Sequence, residues 1–138
     1  MDIDRAFADP TLEAEGVWVD YREGSRVKIA RLGNAAFQKA HESKQRPYRK
    51  LIRDGRLPAQ VSNRVLCEAL AETVLLDWDG FNKKGKTLKY SAEAATKLLI
   101  ERMDFRDEIA LLATEEETFR QKIDGDSEKN SGTSSPGI

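Results

Sequence analysis

The sequence has few of the residues that carry most protein chemistry: its 138 residues include one histidine, His41, and one cysteine, Cys67. A lone cysteine excludes an internal disulfide, and one histidine with one cysteine cannot form a zinc site of the usual kind. The sequence also lacks a run of about 18 apolar residues, so we expect no membrane-spanning helix. The acidic segment 1–10 has no apolar stretch and is unlike a signal peptide, so we expect a cytoplasmic protein.

Motifs typical of catalytic sites are missing as well. The GxSxG pattern of a nucleophilic serine is absent. Cys67 lies beside the apolar stripe of a predicted helix, which favours a buried thiol over a nucleophile. The glutamates at 115–117 point around a helix and favour solvated charge over a catalytic pair. We therefore predict no catalytic residue, no metal, no cofactor and no enzymatic activity.

One stretch does match a nucleotide-binding motif. Residues 80–87 (GFNKKGKT) fit the phosphate-binding loop pattern GxxxxGK[ST], in which backbone amides and the lysine hold phosphates and the hydroxyl binds Mg²⁺. Such a loop follows a buried strand, and a helix begins at its GK[ST] end. Here the preceding segment is predicted to be the end of a helix, and the following segment alternates like a strand. Nucleotide binding through Lys86 and Thr87 is thus an alternative that its surroundings disfavour.

Charge is unevenly distributed, although the formal net charge is only −1. Segments 1–15 and 101–128 are acidic, and segment 39–56 is basic. The basic side chains of that segment are Lys39, Lys44, Arg46, Arg49, Lys50, Arg53 and Arg56. This distribution is compatible with a solvated surface, an acidic partner, nucleic acid or self-association. Nucleic-acid binding is disfavoured because Tyr48 is the only aromatic residue of the segment and the isoelectric point is near 5.9.

Apolar periodicity predicts an α+β fold that is mostly helical, with an N-terminal β-hairpin packed on four or five helices. Alternation over 17–21 and 27–31, around a glycine-containing turn, predicts the hairpin. The predicted helices are 35–44 with Asn34 as N-cap, a short helix from Pro47 to Gly55, 61–77, a helix that Ser91 caps, and one that Asp104 caps and that carries apolar residues to Ile123. We expect a flexible acidic arm at 1–14, one domain at 15–124 and a disordered tail at 125–138.

The order of these features resembles the tail assembly chaperones of long-tailed bacteriophages and prophages. The resemblance covers roughly residues 9–123. It depends on GVWVD at 16–20, the strand 27–32, WDGF at 78–81 and LKYSAEAA at 88–95. In that family the stretch 78–91 resembles a helix–loop–helix joint, in which Trp78 would pin the joint, Gly80 would allow the turn and Tyr90 would pack beside it.

The resemblance also implies a function. Proteins of that family are not enzymes; they bind the tape-measure protein, assist tail-tube assembly in the host cytoplasm and are absent from the mature virion. The candidates for partner contact are Phe105, Ile109, Leu112 and Phe119. A homo-oligomer is also compatible with the charge pattern. The remaining alternative is another minor tail or connector protein, which would stay in the particle.

Overall fold

The computed structural model describes residues 1–121, in which a three-stranded antiparallel sheet packs against helices. The helices are α1 (Ile3–Ala6), α2 (Pro10–Glu15), α3 (Ala35–Gln45), α4 (Arg49–Arg53), α5 (Ala59–Thr73), α6 (Ala92–Glu101) and α7 (Met103–Thr114). The strands are β1 (Val17–Asp20), β2 (Arg26–Ile29), β3 (Leu75–Asp79), β4 (Asn82–Lys83) and β5 (Lys86–Thr87). The predicted α+β fold, mostly helical and with an N-terminal hairpin, is confirmed. The predicted tail at 125–138 lies outside the described residues.

The predicted hairpin forms from β1 and β2. Val17 lies opposite Ile29 and Val19 lies opposite Val27, so these apolar side chains share the face that meets the core. The turn between the strands uses two residues with positive φ, Glu23 at 55° and Gly24 at 79°. An isolated hairpin is rarely stable in water, and here a third strand completes the sheet.

That third strand corrects the predicted helix 61–77. The prediction agrees with the structure as far as Thr73 and is wrong after it. Val74 leaves the helical region at φ −120°, and β3 begins at Leu75. β3 pairs with β2, with Trp78 opposite Val27. The carbonyl of Val74 accepts a hydrogen bond from the amide of Ala30 at 2.9 Å. Pairing with the free edge of β2 therefore outweighs the helical periodicity, which is a purely local signal.

One core connects the sheet to α5, α6 and α7. Its largest fully buried side chains are Phe119, Ile29, Leu70, Leu75, Leu99 and Ile109. Burial of a side chain of this size stabilises a fold by about 1.5–3 kcal/mol. The core thus fixes the position of α7, the helix on which the sequence placed most of the candidate partner contacts.

Two predicted N-caps are confirmed and one is wrong. The short helix predicted from Pro47 is instead a 3₁₀ helix, Arg46–Tyr48, followed by α4. Asn34 accepts a hydrogen bond from the amide of Phe37 at 2.7 Å, and Ser91 accepts one from Ala94 at 2.9 Å. Asp104, in contrast, lies inside α7, whose N-cap is the extended residue Arg102. The predicted helix through Phe119 is also interrupted: α7 ends at Thr114, and Phe119 lies on a separate 3₁₀ helix, Glu116–Phe119. Ile123 lies outside the described part of the chain.

The acidic N-terminal segment carries two short helices. The amide of Asp9 donates to the carbonyl of Phe119 at 2.8 Å, and Ala8 forms an isolated bridge with Arg120. Leu12 in α2 packs against the core, whereas α1 buries no residue. The segment is therefore attached to the body from residue 8 onward. The division of the chain into arm, domain and tail stays a prediction.

Candidate protein-binding surface

Helix α7 has two faces of opposite character. Phe105, Ile109 and Ala113 follow one another at four-residue spacing and are buried in the core. Met103 and Leu111 lie on the opposite side and are 62% and 60% exposed. The exposed Asp107 lies between them on the same side of the helix. We call Met103, Asp107 and Leu111 the α7 outer face.

Polar contacts fix the orientation of this helix. Glu108 accepts hydrogen bonds from the hydroxyl of Tyr21 and from the guanidinium of Arg22, which tie α7 to the turn after β1. On the other side, Arg106 donates to the side-chain oxygen of Asn63 in α5. Because both neighbours hold it, α7 keeps its outer face turned away from the core.

The contacts of Glu108 shift the pKa values of the groups involved. The hydrogen bond from Tyr21, followed by that from Arg22, lowers the pKa of Glu108. Burial, followed by the Glu108 hydrogen bond, raises the pKa of Tyr21. Both shifts favour the same state at neutral pH: a charged carboxylate that accepts from a protonated phenol.

The sequence-predicted contact residues lie mostly on the inner side of the helix. Phe105, Ile109 and Phe119 are buried, and Leu112 is half-buried against the core. In this conformation only Leu112 offers partial surface to a partner. Leu111 was missed because the sequence assigned Leu112 to the apolar stripe. The structure distinguishes the two leucines, because the buried residues 105, 109 and 113 have Leu112 beside them and Leu111 on the other side of the helix.

The three residues of the predicted joint have structural roles. The indole N–H of Trp78 donates to the carbonyl of Leu88 at 2.8 Å, and its ring stacks on Phe81 with centroids 4.7 Å apart. The ring of Tyr90 meets that of Trp78 edge to face at 5.1 Å. Gly80 has a φ of 81°, and a Cβ there would come within 3.2 Å of the Cα of Ser25. The expected helix–loop–helix joint is wrong, however, because Trp78 lies in β3.

The motif at 80–87 forms a small hairpin instead of a phosphate-binding loop. β3 does precede it, contrary to the predicted helix end. After it, Lys86 and Thr87 form the exposed strand β5, which pairs with β4 across a two-residue turn with φ values of 52° and 77°. The next helix starts only at Ala92. Within the described residues, the Gly-Lys-Thr stretch therefore continues into a strand and not into the helix N-terminus that a phosphate-binding loop uses.

Cys67 and His41, residue types often used in catalysis, lie on different helices, α5 and α3. Cys67 is buried, and this burial raises the pKa of its thiol. His41 stacks on Phe37 in α3, with ring centroids 5.3 Å apart. Among residues 1–121, no group of three or more His, Cys, Asp or Glu side chains is placed to hold a metal ion. No helix in this part of the chain is long and apolar enough to span a membrane.

The model of a family described as YdaY prophage protein matches residues 32–130. The chain belongs to the YdaY prophage protein family. Neither the curated proteins nor the solved structures gave a match.

The YdaY match covers helices α3 to α7 together with strands β3, β4 and β5. It begins after β2 and includes the basic segment, the Gly-Lys-Thr hairpin and both faces of α7. The N-terminal arm and the β1–β2 hairpin precede it. Membership of this family supports a protein of prophage origin, which is the coarser part of the resemblance stated above.

Proposed function

We propose that this YdaY family protein is a tail assembly chaperone that binds helical segments of a tape-measure protein through the α7 outer face. In this role it assists tail-tube assembly in the host cytoplasm, has no enzymatic activity and needs no cofactor. The observation that carries the proposal is the exposure of Met103 and Leu111 on a helix whose other face is anchored in the core.

The chemistry of the α7 outer face suits an amphipathic helix. Such helices bind through apolar side chains spaced three or four residues apart, against an apolar surface bordered by charge. Met103 and Leu111 supply apolar surface two helical turns apart, and Asp107 between them supplies a carboxylate. Methionine adapts to differently shaped partners because its side chain is flexible and polarizable. This property suits a protein that binds many similar stretches of one long helical chain.

The prophage family and the order of motifs at 16–95 support the phage context of the proposal. The α7 helix itself supports the mode of binding. Exposed leucine and methionine side chains are common singly, but here they are held on one side of a helix with a fixed orientation.

The experiment is co-expression with the tape-measure protein of the same prophage. We expect the wild-type protein to keep that partner soluble and to co-purify with it. A Met103→Ser/Leu111→Ser variant should lose most of this capture while remaining folded, because both side chains lie outside the core. The matched control is Ile3→Ser, since Ile3 is 59% exposed on a different element. Equal capture by the wild-type protein and the α7 variant would contradict the assigned surface.

A second measurement separates the chaperone from a minor tail or connector protein. A chaperone leaves the tail as it matures, so mass spectrometry of purified particles should not detect this chain. Its recovery at a fixed copy number per particle would replace the proposal with a structural role.

A further inference from the structure

Helix α4 has a cationic side and an aliphatic side. At about 100° of rotation per residue, Arg49, Lys50 and Arg53 lie on one side of the helix. Leu51 and Ile52 lie on the opposite side and are 38% and 40% exposed. A helix in a globular protein normally buries its apolar side, whereas residues 1–121 leave every residue of α4 exposed.

Local hydrogen bonds rather than burial in the core define this helix. The amide of Gly55 donates to the carbonyl of Ile52 at 3.1 Å, and the amide of Arg56 donates to that of Leu51 at 2.8 Å. With Gly55 at a φ of 67°, these bonds form a Schellman motif that closes the C-terminal end. The two sides of α4 therefore keep a defined arrangement.

The region around α4 is strongly cationic. Residues 46–57 contain five cationic side chains and one carboxylate, that of Asp54, so their formal charge is +4. With the second half of α3 included, residues 39–57 have a formal charge of +5. Asp54 is paired with Arg53 at 3.5 Å. Within residues 1–121, the cations of this region that have no ion pair are Arg46, Arg49, Lys50 and Arg56.

A partner that suits both sides of α4 must combine negative charge with apolar volume. The surface of a bilayer that contains anionic phospholipid has both, because phosphates lie directly above the acyl chains. A cationic amphipathic helix lies in the plane of such a surface, with its apolar side down and its long Lys and Arg side chains extended to the phosphates. Clusters of this number of cations are typical of binding to anionic lipid. Nucleic acid would engage the cations and leave Leu51 and Ile52 in water.

We propose that α4 attaches this protein peripherally to the surface of a bilayer that contains anionic phospholipid. Leu51 and Ile52 enter the interface, and the cations of residues 46–56 contact the phosphates. Such attachment needs no membrane-spanning helix. Because the aliphatic side has only two residues, most of the affinity is electrostatic and falls as salt rises. The inference goes beyond tape-measure binding and does not depend on it, since the α7 outer face takes no part.

Vesicle co-sedimentation of the whole chain tests this attachment. The vesicles consist of phosphatidylcholine alone or of phosphatidylcholine with about 30% phosphatidylglycerol. We expect retention on the anionic vesicles only, with loss as salt rises from about 50 to about 500 mM. Lys50→Gln/Arg53→Gln should weaken binding about tenfold or more. The matched control, Lys84→Gln/Lys86→Gln, removes the same charge from the exposed β4–β5 hairpin and should bind within about twofold of the wild-type protein.

A second pair of variants tests the aliphatic side. Leu51→Ser/Ile52→Ser should weaken binding to the anionic vesicles by at least about threefold, although it changes no charge. The matched control is Met103→Ser/Leu111→Ser, which removes two exposed apolar side chains from α7 and should keep vesicle binding. Circular dichroism checks that all variants are folded.

Three results would overturn the proposal. The first is no retention of the wild-type protein on anionic vesicles at low salt. The second is equal vesicle binding by the wild-type protein and Leu51→Ser/Ile52→Ser together with tight binding of duplex DNA, which would assign α4 to nucleic acid. The third is self-association that the α4 variants lose, without vesicle binding, which would assign α4 to a second copy. Because the α4 variants should still capture the tape-measure protein, failure of this inference is distinguishable from failure of the proposed function.

Discussion

Tyr90 donates a hydrogen bond from its hydroxyl to the carbonyl oxygen of Leu75, at an O···O distance of 2.7 Å. Leu75 begins β3 and Tyr90 lies just before α6, so this bond closes the segment that contains the Gly-Lys-Thr hairpin. The carbonyl of Ala71 in α5 lies 3.2 Å from the same hydroxyl. Burial raises the pKa of Tyr90, so its hydroxyl remains a donor at neutral pH. One phenol thereby connects three elements of the fold.

Tyr90→Phe should lower the free energy of unfolding by about 1–2 kcal/mol, because a half-buried hydrogen bond is lost and its acceptors stay in place. Urea denaturation measures the change. The matched control is Tyr48→Phe. In the wild-type protein the hydroxyl of Tyr48 accepts an exposed hydrogen bond from Arg64 at 2.9 Å. That substitution should change the free energy of unfolding by less than about 0.5 kcal/mol. Equal effects of the two substitutions would mean that Tyr90 does not fix the segment.

Gly80→Ala should destabilise the protein more than Gly85→Ala. Both glycines have positive φ, 81° and 77°, so either alanine is strained by about 1–2 kcal/mol. Only at Gly80 would the new Cβ also press on backbone, at 3.2 Å from the Cα of Ser25, whereas Gly85 has open space around it. The difference between the two melting temperatures isolates this contact. If Gly85→Ala proves the more destabilising, the close approach of β3 to the β1–β2 turn is not what requires glycine.

Local side-chain chemistry made part of this fold predictable. Asn34 and Ser91 cap their helices through hydrogen bonds to amides three residues ahead, which sequence spacing alone reveals. The β1–β2 hairpin was also predictable from residues that are close together in the sequence. β3 was not, because the residues after Thr73 adopt a strand only when the edge of β2 is there to pair with them. The strand that pairs with β3 lies at residues 26–29, far from β3 in the sequence.

The candidate surface was predictable only in part for a similar reason. The sequence indicated that the helix near 105–112 matters, but it could not decide which apolar residues face inward. Leu111 and Leu112 are adjacent and chemically identical, and the packing of α7 on the rest of the core leaves Leu111 exposed. The exposure of α4 is likewise a tertiary property, since its own sequence contains Leu51 and Ile52 in a pattern that a core could have buried.

The interaction of Glu108 with Tyr21 and Arg22 should make stability depend on pH. The pKa of Glu108 is lowered in the folded protein, so its contribution is fully present above the unfolded value of about 4.3 and is lost as pH falls through the lower folded value. Urea denaturation between pH 7 and pH 3 should show the wild-type protein more stable than Glu108→Gln at neutral pH, with the difference shrinking in acid. Tyr21→Phe removes the main cause of the shift and should weaken this dependence. If the difference in stability between the wild-type protein and Glu108→Gln does not change with pH, Glu108 is not the source of the pH dependence.

The core and the α7 outer face predict opposite effects for Phe119→Ala and Leu111→Ala. Phe119 is fully buried in the core, and its truncation should cost about 3–5 kcal/mol through lost burial and the cavity left behind. Leu111 is 60% exposed, so its truncation should change stability by no more than about 0.5 kcal/mol. Capture of the tape-measure protein should show the reverse order at temperatures where both variants are folded, because only Leu111 lies on the α7 outer face. A large loss of stability in Leu111→Ala would mean that this side chain belongs to the core and that partners must bind elsewhere.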